Sequence, residues 1–154
     1  MSLQAKIGMF EGIVVPTVLY GCESWALNAE ERKRIEVMEM RCLRTICGVR
    51  WFDRVTNNKV RDMCGKKRSF GERADQGVLK WYGHLERMSD ERLVKKIYKS
   101  ELRGARGRGR PKKRWKDGVK NALNHRGLDI QEGERCARDR VRWNDVVFGA
   151  TRRQ

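Results

Sequence analysis

The sequence predicts an all-α fold of about six to eight helices in two loosely coupled modules. Along most of its 154 residues, apolar side chains recur at intervals of three and four, and no long stretch alternates polar with apolar residues. A capping-box pattern, in which glutamate follows three positions after a capping residue, begins at Asn28, Ser69 and Asp129. Glycines at positions such as Gly48 and Gly127 then supply helix ends.

The first half of the chain should form three helices. The first runs over residues 3–20, and Pro16 should kink or split it because proline lacks a backbone N–H and clashes with the preceding turn. The second begins behind Asn28 and ends at Gly48. Its apolar face comprises Ile35, Met38, Cys42 and Ile46. A short helix capped by Thr56 should follow.

The second half should contain four more helices. One follows Ser69, and its inward face comprises Val78, Trp81, Tyr82, Leu85 and Met88. Ser89 should cap the next helix, whose inward residues are Leu93, Ile97 and Leu102. Pro111 suits the first turn of a further helix. A last helix should run over residues 129–147.

Positive charge is concentrated in the later part of the chain. The sequence holds 36 lysines and arginines against 20 acidic residues, a formal net charge of +16. Residues 1–64 carry a net charge of only +2, whereas residues 65–154 carry +14. Self-repulsion of this size favours a polyanionic partner, and RNA or DNA is the first candidate because each neutralised phosphate releases a counterion.

The sequence indicates neither a membrane protein nor a secreted one. Its most apolar stretch, residues 13–20, is too short to span a bilayer. The N-terminus lacks the regions of a signal peptide, and the five cysteines form an odd number that is typical of free thiols. We therefore expect no membrane partner and a location in the nucleus, the cytoplasm or both.

Composition predicts how the chain is divided. Residues 1–48 should form one helical module, residues 49–55 a linker, residues 56–148 a basic helical module, and residues 149–154 a tail. Within the basic module, residues 103–110 alternate glycine with arginine, a pattern that cannot build a core and predicts a mobile loop. The first module should supply packing and the second polyanion binding.

The basic run over residues 103–116 is the strongest functional signal. It contains eight lysines or arginines in 14 residues and no acid. Glycine adds no side chain, so arginines between glycines can approach a phosphate backbone closely. The expected phosphate contacts are Arg103, Arg106, Arg108, Arg110, Lys112, Lys113, Arg114 and Lys116. A solvated charged loop is the alternative interpretation.

Two narrower motifs lie within the basic run. Arg108-Gly109-Arg110-Pro111 resembles the core of an AT-hook, whose arginines enter the narrow minor groove of A·T-rich DNA. Residues 113–116 fit a nuclear-import pattern. Strings this short arise by chance in basic proteins, which favours a sequence-tolerant contact with phosphates.

Five tryptophans are spread along the chain, at Trp25, Trp51, Trp81, Trp115 and Trp143. Near basic residues they could stack on unpaired bases, but aromatic residues at helical spacing more often anchor a core. We therefore expect Trp81, Tyr82, His84 and Trp115 to shape the basic module. Trp51 stands in a predicted loop and is better placed for a surface contact or for packing between modules.

No metal, cofactor or catalytic site is predicted. The five cysteines and two histidines form neither a C-x-x-C pair nor a zinc knuckle. The acidic residues are scattered, and no Ser/His/Asp set, glycine-rich phosphate loop or clustered carboxylate pair emerges. His84 stands without a partner motif and is typical of a structural histidine.

Seven short strings occur in a characteristic order. They are Val15–Trp25, Glu39–Arg44, Gly48–Trp51, Asp53–Asn57, Leu79–Met88, Gly109–Trp115 and Asp139–Trp143. Together they resemble the region that follows the polymerase palm in non-LTR (LINE-type) retrotransposon endonuclease–reverse transcriptases. The resemblance covers roughly residues 7–145, and it corresponds to the end of the thumb and the basic helical C-terminal extension.

The resemblance implies nucleic-acid binding without catalysis. In that family the thumb grips the template–primer duplex and the extension helps to hold RNA and target DNA. The metal-binding carboxylates lie in the palm, in a box with two adjacent aspartates, and this sequence contains no such pair. We therefore expect no polymerase or nuclease activity from this chain alone, and we expect it to be a truncated copy of an element or a fragment of a gene.

The motif residues that the resemblance carries over are expected to be structural. They are Pro16, Tyr20, Gly21, Trp25, Trp51, Trp81, Gly83, His84, Pro111, Trp115 and Trp143. The leading hypothesis is a fragment that binds RNA or DNA through its basic run. One alternative is an assembly module that docks on other reverse-transcriptase domains or on itself. The other is a vestigial product with no selected activity.

Overall fold

The computed structural model describes residues 1–65, 68–100, 109 and 113–149. It confirms the all-α prediction, since these residues form helices and no strand. The described part of the chain holds eight helices when the continuous segment Leu3–Val18 is counted once. The chain forms two compact units: unit 1 is Met1–Cys22 with Leu27–Ala74, and unit 2 is Glu23–Ala26 with Asp75–Gln154.

The first helical segment of unit 1 contains a change of helix type. Helix α1 covers Leu3–Met9, a π-helical turn covers Phe10–Val14, and α2 covers Val15–Val18. Pro16 lies directly behind the π turn, where a wider turn can accommodate a residue without an N–H. The predicted disturbance at Pro16 thus takes the form of a π turn, and the helix ends at Val18, earlier than expected.

Helices α3 and α4 complete unit 1 together with the start of the next helix. Helix α3 covers Ala29–Cys47 and α4 covers Asn57–Met63. The predicted capping box at Asn28 is present, and α3 ends at Gly48 in the left-handed conformation. The buried core of this unit comprises Ile7, Phe10, Val15, Met40, Leu43, Val60, Cys64 and Phe70.

A buried carboxylate links three helices of unit 1. Glu39 on α3 is 2% exposed, and one of its oxygens lies 2.9 Å from the Arg61 guanidinium of α4. The same oxygen accepts a hydrogen bond from the backbone N–H of Phe70 at 3.3 Å. Because a buried charge is tolerated only when it is paired, Glu39 and Arg61 position these helices jointly.

Five further helices follow among the residues that the structure describes. Helix α5 covers Phe70–Glu86, α6 covers Leu93–Lys99, α7 covers Trp115–Asn124, α8 covers Ile130–Arg138 and α9 covers Arg140–Phe148. The predicted capping boxes at Ser69 and Asp129 are both present. The single last helix was a wrong prediction: the chain breaks at Asp139, whose carboxylate accepts from the N–H groups of Val141 and Arg142 and so begins α9.

The core of unit 2 is built around aromatic residues. Trp143 on α9 is 2% exposed, and its indole N–H donates to the carbonyl of Leu79 at 3.1 Å. Its ring contacts that of Tyr82, with the ring centroids 5.7 Å apart. The other buried members of this core are Val78, Leu79, Val119, Ala122, Leu123, Cys136, Ala137 and Val147.

The orientation of α6 differs from the prediction. Leu93 and Ile97 were expected inward, but they are 71% and 62% exposed. Lys95 is buried instead, and its ammonium group donates to the carbonyls of Glu86 and Met88 at 2.6 and 2.9 Å. These carbonyls lie at and just beyond the end of α5, where a lysine is a favourable partner. Ser89 does not cap α6, which begins behind Arg92.

Candidate nucleic-acid interface

The structure describes three of the eight residues that are predicted to contact phosphate. Lys113, Arg114 and Lys116 lie immediately before α7 or in its first turn. The remaining five lie outside the described residues, and they are Arg103, Arg106, Arg108, Arg110 and Lys112. The described part of the candidate interface is therefore its C-terminal end, where the basic run continues into α7.

The start of α7 is held by backbone and side-chain contacts. The carboxylate of Asp117 accepts from the backbone N–H of Arg114 at 2.8 Å, which satisfies one of the free donors at the helix N-terminus. The Trp115 indole N–H donates to the carbonyl of Glu23 at 2.8 Å. These contacts leave the Arg114 and Lys116 side chains exposed on either side of a half-buried tryptophan.

An aromatic groove of about 440 Å³ lies beside this basic end. It is lined by Trp81, Leu85, Val94, Ile97, Tyr98 and Trp115, together with the polar residues Ser100, Arg114 and Lys116. We call this feature the aromatic groove. Helices α5, α6 and α7 of unit 2 contribute its walls, so it depends on the outward orientation of α6.

Tyr98 connects the groove with the core of unit 2. Its ring lies edge-on to Trp115 and to Tyr82, with centroid separations of 5.8 and 6.2 Å. The ammonium of Lys116 lies 4.6 Å from the centre of the Tyr98 ring, within the range of a cation–π contact. Burial raises the pKa of Tyr98 to about 12, so the phenol adds no negative charge to the groove at physiological pH.

Trp81 occupies an intermediate position. It was expected to help shape the module, yet 39% of its surface is exposed. Its ring contacts His84, with the ring centroids 5.3 Å apart. Exposed aromatic surface beside arginine and lysine side chains is suited to stacking against another planar group.

Several residues expected to be structural have clear roles in their own unit. A Cβ atom added at Gly83 would overlap the indole of Trp143, so this position requires glycine. Gly21 has a φ of +68°, a backbone conformation that glycine adopts readily. Pro111 lies outside the described residues.

Two other motif residues lie mainly at the surface. Tyr20 is 87% exposed and Trp51 is 89% exposed, and Trp51 packs edge-on against Phe52 in a short 3-10 turn. Trp25 is half-buried and belongs to unit 2. The expectation that Trp51 serves a surface contact or packing between modules stays a prediction.

Unit 1 carries a basic groove that the sequence analysis missed. This groove, of about 580 Å³, is lined by Lys33, Glu36, Val37, Met40, Arg41, Arg44, Thr45, Asn57 and Arg61. Arg44 is held there by the carbonyl of Val55 at 2.7 Å and by the Asn57 side chain at 2.9 Å. The available signal was the spacing of Lys33, Arg41 and Arg44, which places them on one face of α3.

Across the described ranges, no three histidine, cysteine, aspartate or glutamate side chains come together as a metal site would require. Within those ranges, no helix has the length and apolar character needed to cross a bilayer. One pair that sequence spacing could not reveal is His125 and Asp75, whose Nδ1 and Oδ2 atoms lie 3.0 Å apart.

Two proteins with similar sequences derive from transposons. One is an uncharacterised transposon-derived protein of Caenorhabditis elegans, 26% identical over 155 residues, an alignment that covers 92% of this chain and 53% of the relative. Another is named as an RNA-directed DNA polymerase from transposon X-element of Drosophila melanogaster, 28% identical over 115 residues, which covers 74% of this chain and 11% of that protein.

The chain therefore spans about half the length of the first relative and about a tenth of the second. No protein-family model and no solved structure matches the chain. The similarity relates the chain to transposon-derived proteins, one of which carries the name of a reverse transcriptase.

Proposed function

We propose that this chain is a non-catalytic, RNA- or DNA-binding part of a retrotransposon reverse transcriptase. It binds phosphate backbones with little regard for sequence, through the basic run over residues 103–116. The observation that carries the proposal is the density of this run, eight bases and no acid in 14 residues. In the family that the sequence resembles, this region follows the palm, so the chain contributes nucleic-acid binding rather than catalysis.

The described end of the run supports phosphate contact. Arg114 and Lys116 are exposed, and the contacts of α7 fix the backbone from which they project. A guanidinium can bind phosphate through two parallel hydrogen bonds, while an ammonium acts as a point charge. An arginine and a lysine held in place beside an otherwise apolar surface are suited to binding a nucleic acid.

The relative in Drosophila supports the same class of partner. It is named as an RNA-directed DNA polymerase, an enzyme whose template and product are both nucleic acids. This chain matches only about a tenth of that protein, so polymerase activity would belong to the remainder. We infer that the matched region serves binding.

A salt series on the full chain tests the proposal. Binding to labelled duplex DNA, RNA–DNA hybrid and single-stranded RNA is measured for the wild type and for a variant with Arg106, Arg108 and Arg110 changed to Ala. On duplex DNA, each lost phosphate contact should lower the slope of log affinity against log salt by about 0.9, so three lost contacts lower it by about 2.7.

A matched control removes the same charge elsewhere. The exposed residues Arg34, Arg135 and Arg138 lie outside both the basic run and the basic groove, and their change to Ala should leave the slope nearly unaltered. Equal losses in both triple variants would mean that net charge alone drives binding. Absence of binding, together with self-association that salt does not weaken, would instead favour the assembly alternative.

A further inference from the structure

The aromatic groove presents apolar surface that the core of unit 2 does not bury. Ile97 is 62% exposed and Val94 46% exposed on α6, and Trp81 is 39% exposed on α5. The outward orientation of Val94 and Ile97 follows from the burial of Lys95, which fixes the rotation of α6. A recess lined by apolar and aromatic groups with a few polar groups is typical of a ligand site.

The charge around the groove specifies what kind of ligand fits. Among the described residues that line it, the two with formal charge are Arg114 and Lys116, and both are cationic. The occupant should therefore combine a planar or apolar part with negative charge close by.

We propose that the aromatic groove binds one unpaired nucleobase of a single-stranded RNA or DNA. The base stacks on the exposed part of Trp81, while Arg114 and Lys116 bind the flanking phosphates. This inference rests on the proposed nucleic-acid binding and adds that the strand must be unpaired at this point. Stacking tolerates any base because every base has an aromatic face.

An acidic amphipathic helix would meet the same charge requirement. Such a helix is recognised through several anchors spaced three and four residues apart, which calls for an elongated apolar surface. A recess of about 440 Å³ with Trp81, Tyr98 and Trp115 in its lining favours a single planar ring. The test must therefore distinguish binding of a nucleobase from binding of such a peptide.

The test compares strands with and without bases. Binding of the full chain is measured by fluorescence anisotropy with oligothymidylate, oligouridylate and an abasic DNA strand of the same length. Loss of one stacked base costs about 1–3 kcal/mol, so the wild type should bind oligothymidylate about 5- to 150-fold more tightly than the abasic strand. Comparison of the thymidylate and uridylate strands shows whether RNA or DNA is preferred.

Two groove variants and one control isolate the contact. Trp81→Ala should abolish most of the advantage of the base-bearing strand while leaving the affinity for the abasic strand and its salt slope unchanged. Ile97→Glu, at an exposed position where folding should be unaffected, should weaken the base-bearing strand as well. Tyr20→Ala removes an exposed aromatic residue of unit 1 that lines neither groove and should change neither affinity.

The outcomes separate this inference from the proposed function. If the wild type binds both strands equally, or if Trp81→Ala retains the full ratio, the groove does not bind a base although phosphate binding stands. If neither strand binds, the inference fails, and the proposed function fails as well only if duplex DNA and RNA–DNA hybrid are also not bound. If an acidic amphipathic peptide binds in a Trp81-dependent manner and the base-bearing strand has no advantage, the groove is a protein-docking site and the inference is overturned.

Discussion

Gly83 faces the indole of Trp143 within the core of unit 2, and the space there admits no side-chain carbon. We expect Gly83→Ala to lower the free energy of unfolding by about 1–3 kcal/mol, because overpacking forces neighbouring side chains out of their preferred rotamers. Urea denaturation followed by circular dichroism measures the change.

Gly8→Ala is the matched control for this substitution. Gly8 lies in α1, and a Cβ atom added there would meet nothing within 4 Å. Alanine favours helix over glycine by about 0.8–1.0 kcal/mol, so this variant should be as stable as the wild type or slightly more stable. Destabilisation of similar size in both variants would show that the contact with Trp143 does not limit position 83.

Cys47 and Cys64 bring two thiols together in unit 1, with their Sγ atoms 2.8 Å apart. We expect oxidised glutathione to convert this pair to a disulfide: the thiols lose two protons and two electrons, and oxidised glutathione is reduced to two glutathione molecules. Closing a loop of this length should stabilise unit 1 by about 3 kcal/mol. Thiol titration and peptide mass mapping measure the product.

Serine variants identify the pair. Cys47→Ser should prevent the disulfide, whereas Cys22→Ser should leave it intact, because the buried Cys22 is not a member of the Cys47–Cys64 pair. A mapped disulfide that joins other cysteines, or none after prolonged oxidation, would contradict the expectation.

At the scale of elements, Lys95 decides how α6 packs. Its ammonium satisfies the carbonyls of Glu86 and Met88, so Lys95→Met should leave two acceptors without this partner. Hydrogen bonds that involve a charged group contribute about 1.5–3 kcal/mol, and we expect a loss of stability in that range. Hydrogen exchange should accelerate for the amides of residues 89–99.

The exposed neighbour Lys96 provides the control for Lys95. Lys96→Met removes the same charge and adds the same side chain, and a surface change of this kind usually alters stability by less than about 0.5 kcal/mol. If both variants lose stability equally, the carbonyl contacts of Lys95 do not hold α6.

At the scale of the whole molecule, the net charge of +16 should make the protein sensitive to ionic strength. Raising the salt concentration from about 0.01 M to about 0.1 M shortens the Debye length from about 30 Å to about 10 Å and screens the repulsion between exposed lysine and arginine side chains. We therefore expect Tm to rise over this range, as measured by circular dichroism.

The triple variant of Arg106, Arg108 and Arg110 should show a smaller rise in Tm. It carries three fewer positive charges, so less repulsion remains to be screened. A Tm that is independent of salt in the wild type would indicate that its charges are too well dispersed or paired to strain the fold.

Local patterns explain which parts of the fold could be predicted. The capping boxes at Asn28, Ser69 and Asp129 depend on hydrogen bonds across three residues, and all three are present. The helix end at Gly48 depends on one left-handed residue and is also present. Patterns of this range are complete within the segment that carries them, so no knowledge of distant residues is required.

Features that depend on distant residues escaped prediction. The apolar pattern of α6 predicted that Leu93 and Ile97 are buried. Lys95 is buried instead, because its ammonium group donates to backbone carbonyls at and just beyond the end of α5. The aromatic groove is lined by residues of three helices, and the basic groove is lined by residues of α3 and α4. Neither groove corresponds to a continuous string of residues.

Composition and short-range hydrogen bonding suffice to predict the all-α class, most helix starts and the concentration of positive charge in residues 65–154. Four other features depend on how the helices pack: the rotation of α6, the break at Asp139, the requirement for Gly83 and the exposure of Trp81. The physical reason is that a side chain's burial depends on which polar groups and which volumes its neighbours leave to be filled, and those neighbours lie far away in the chain.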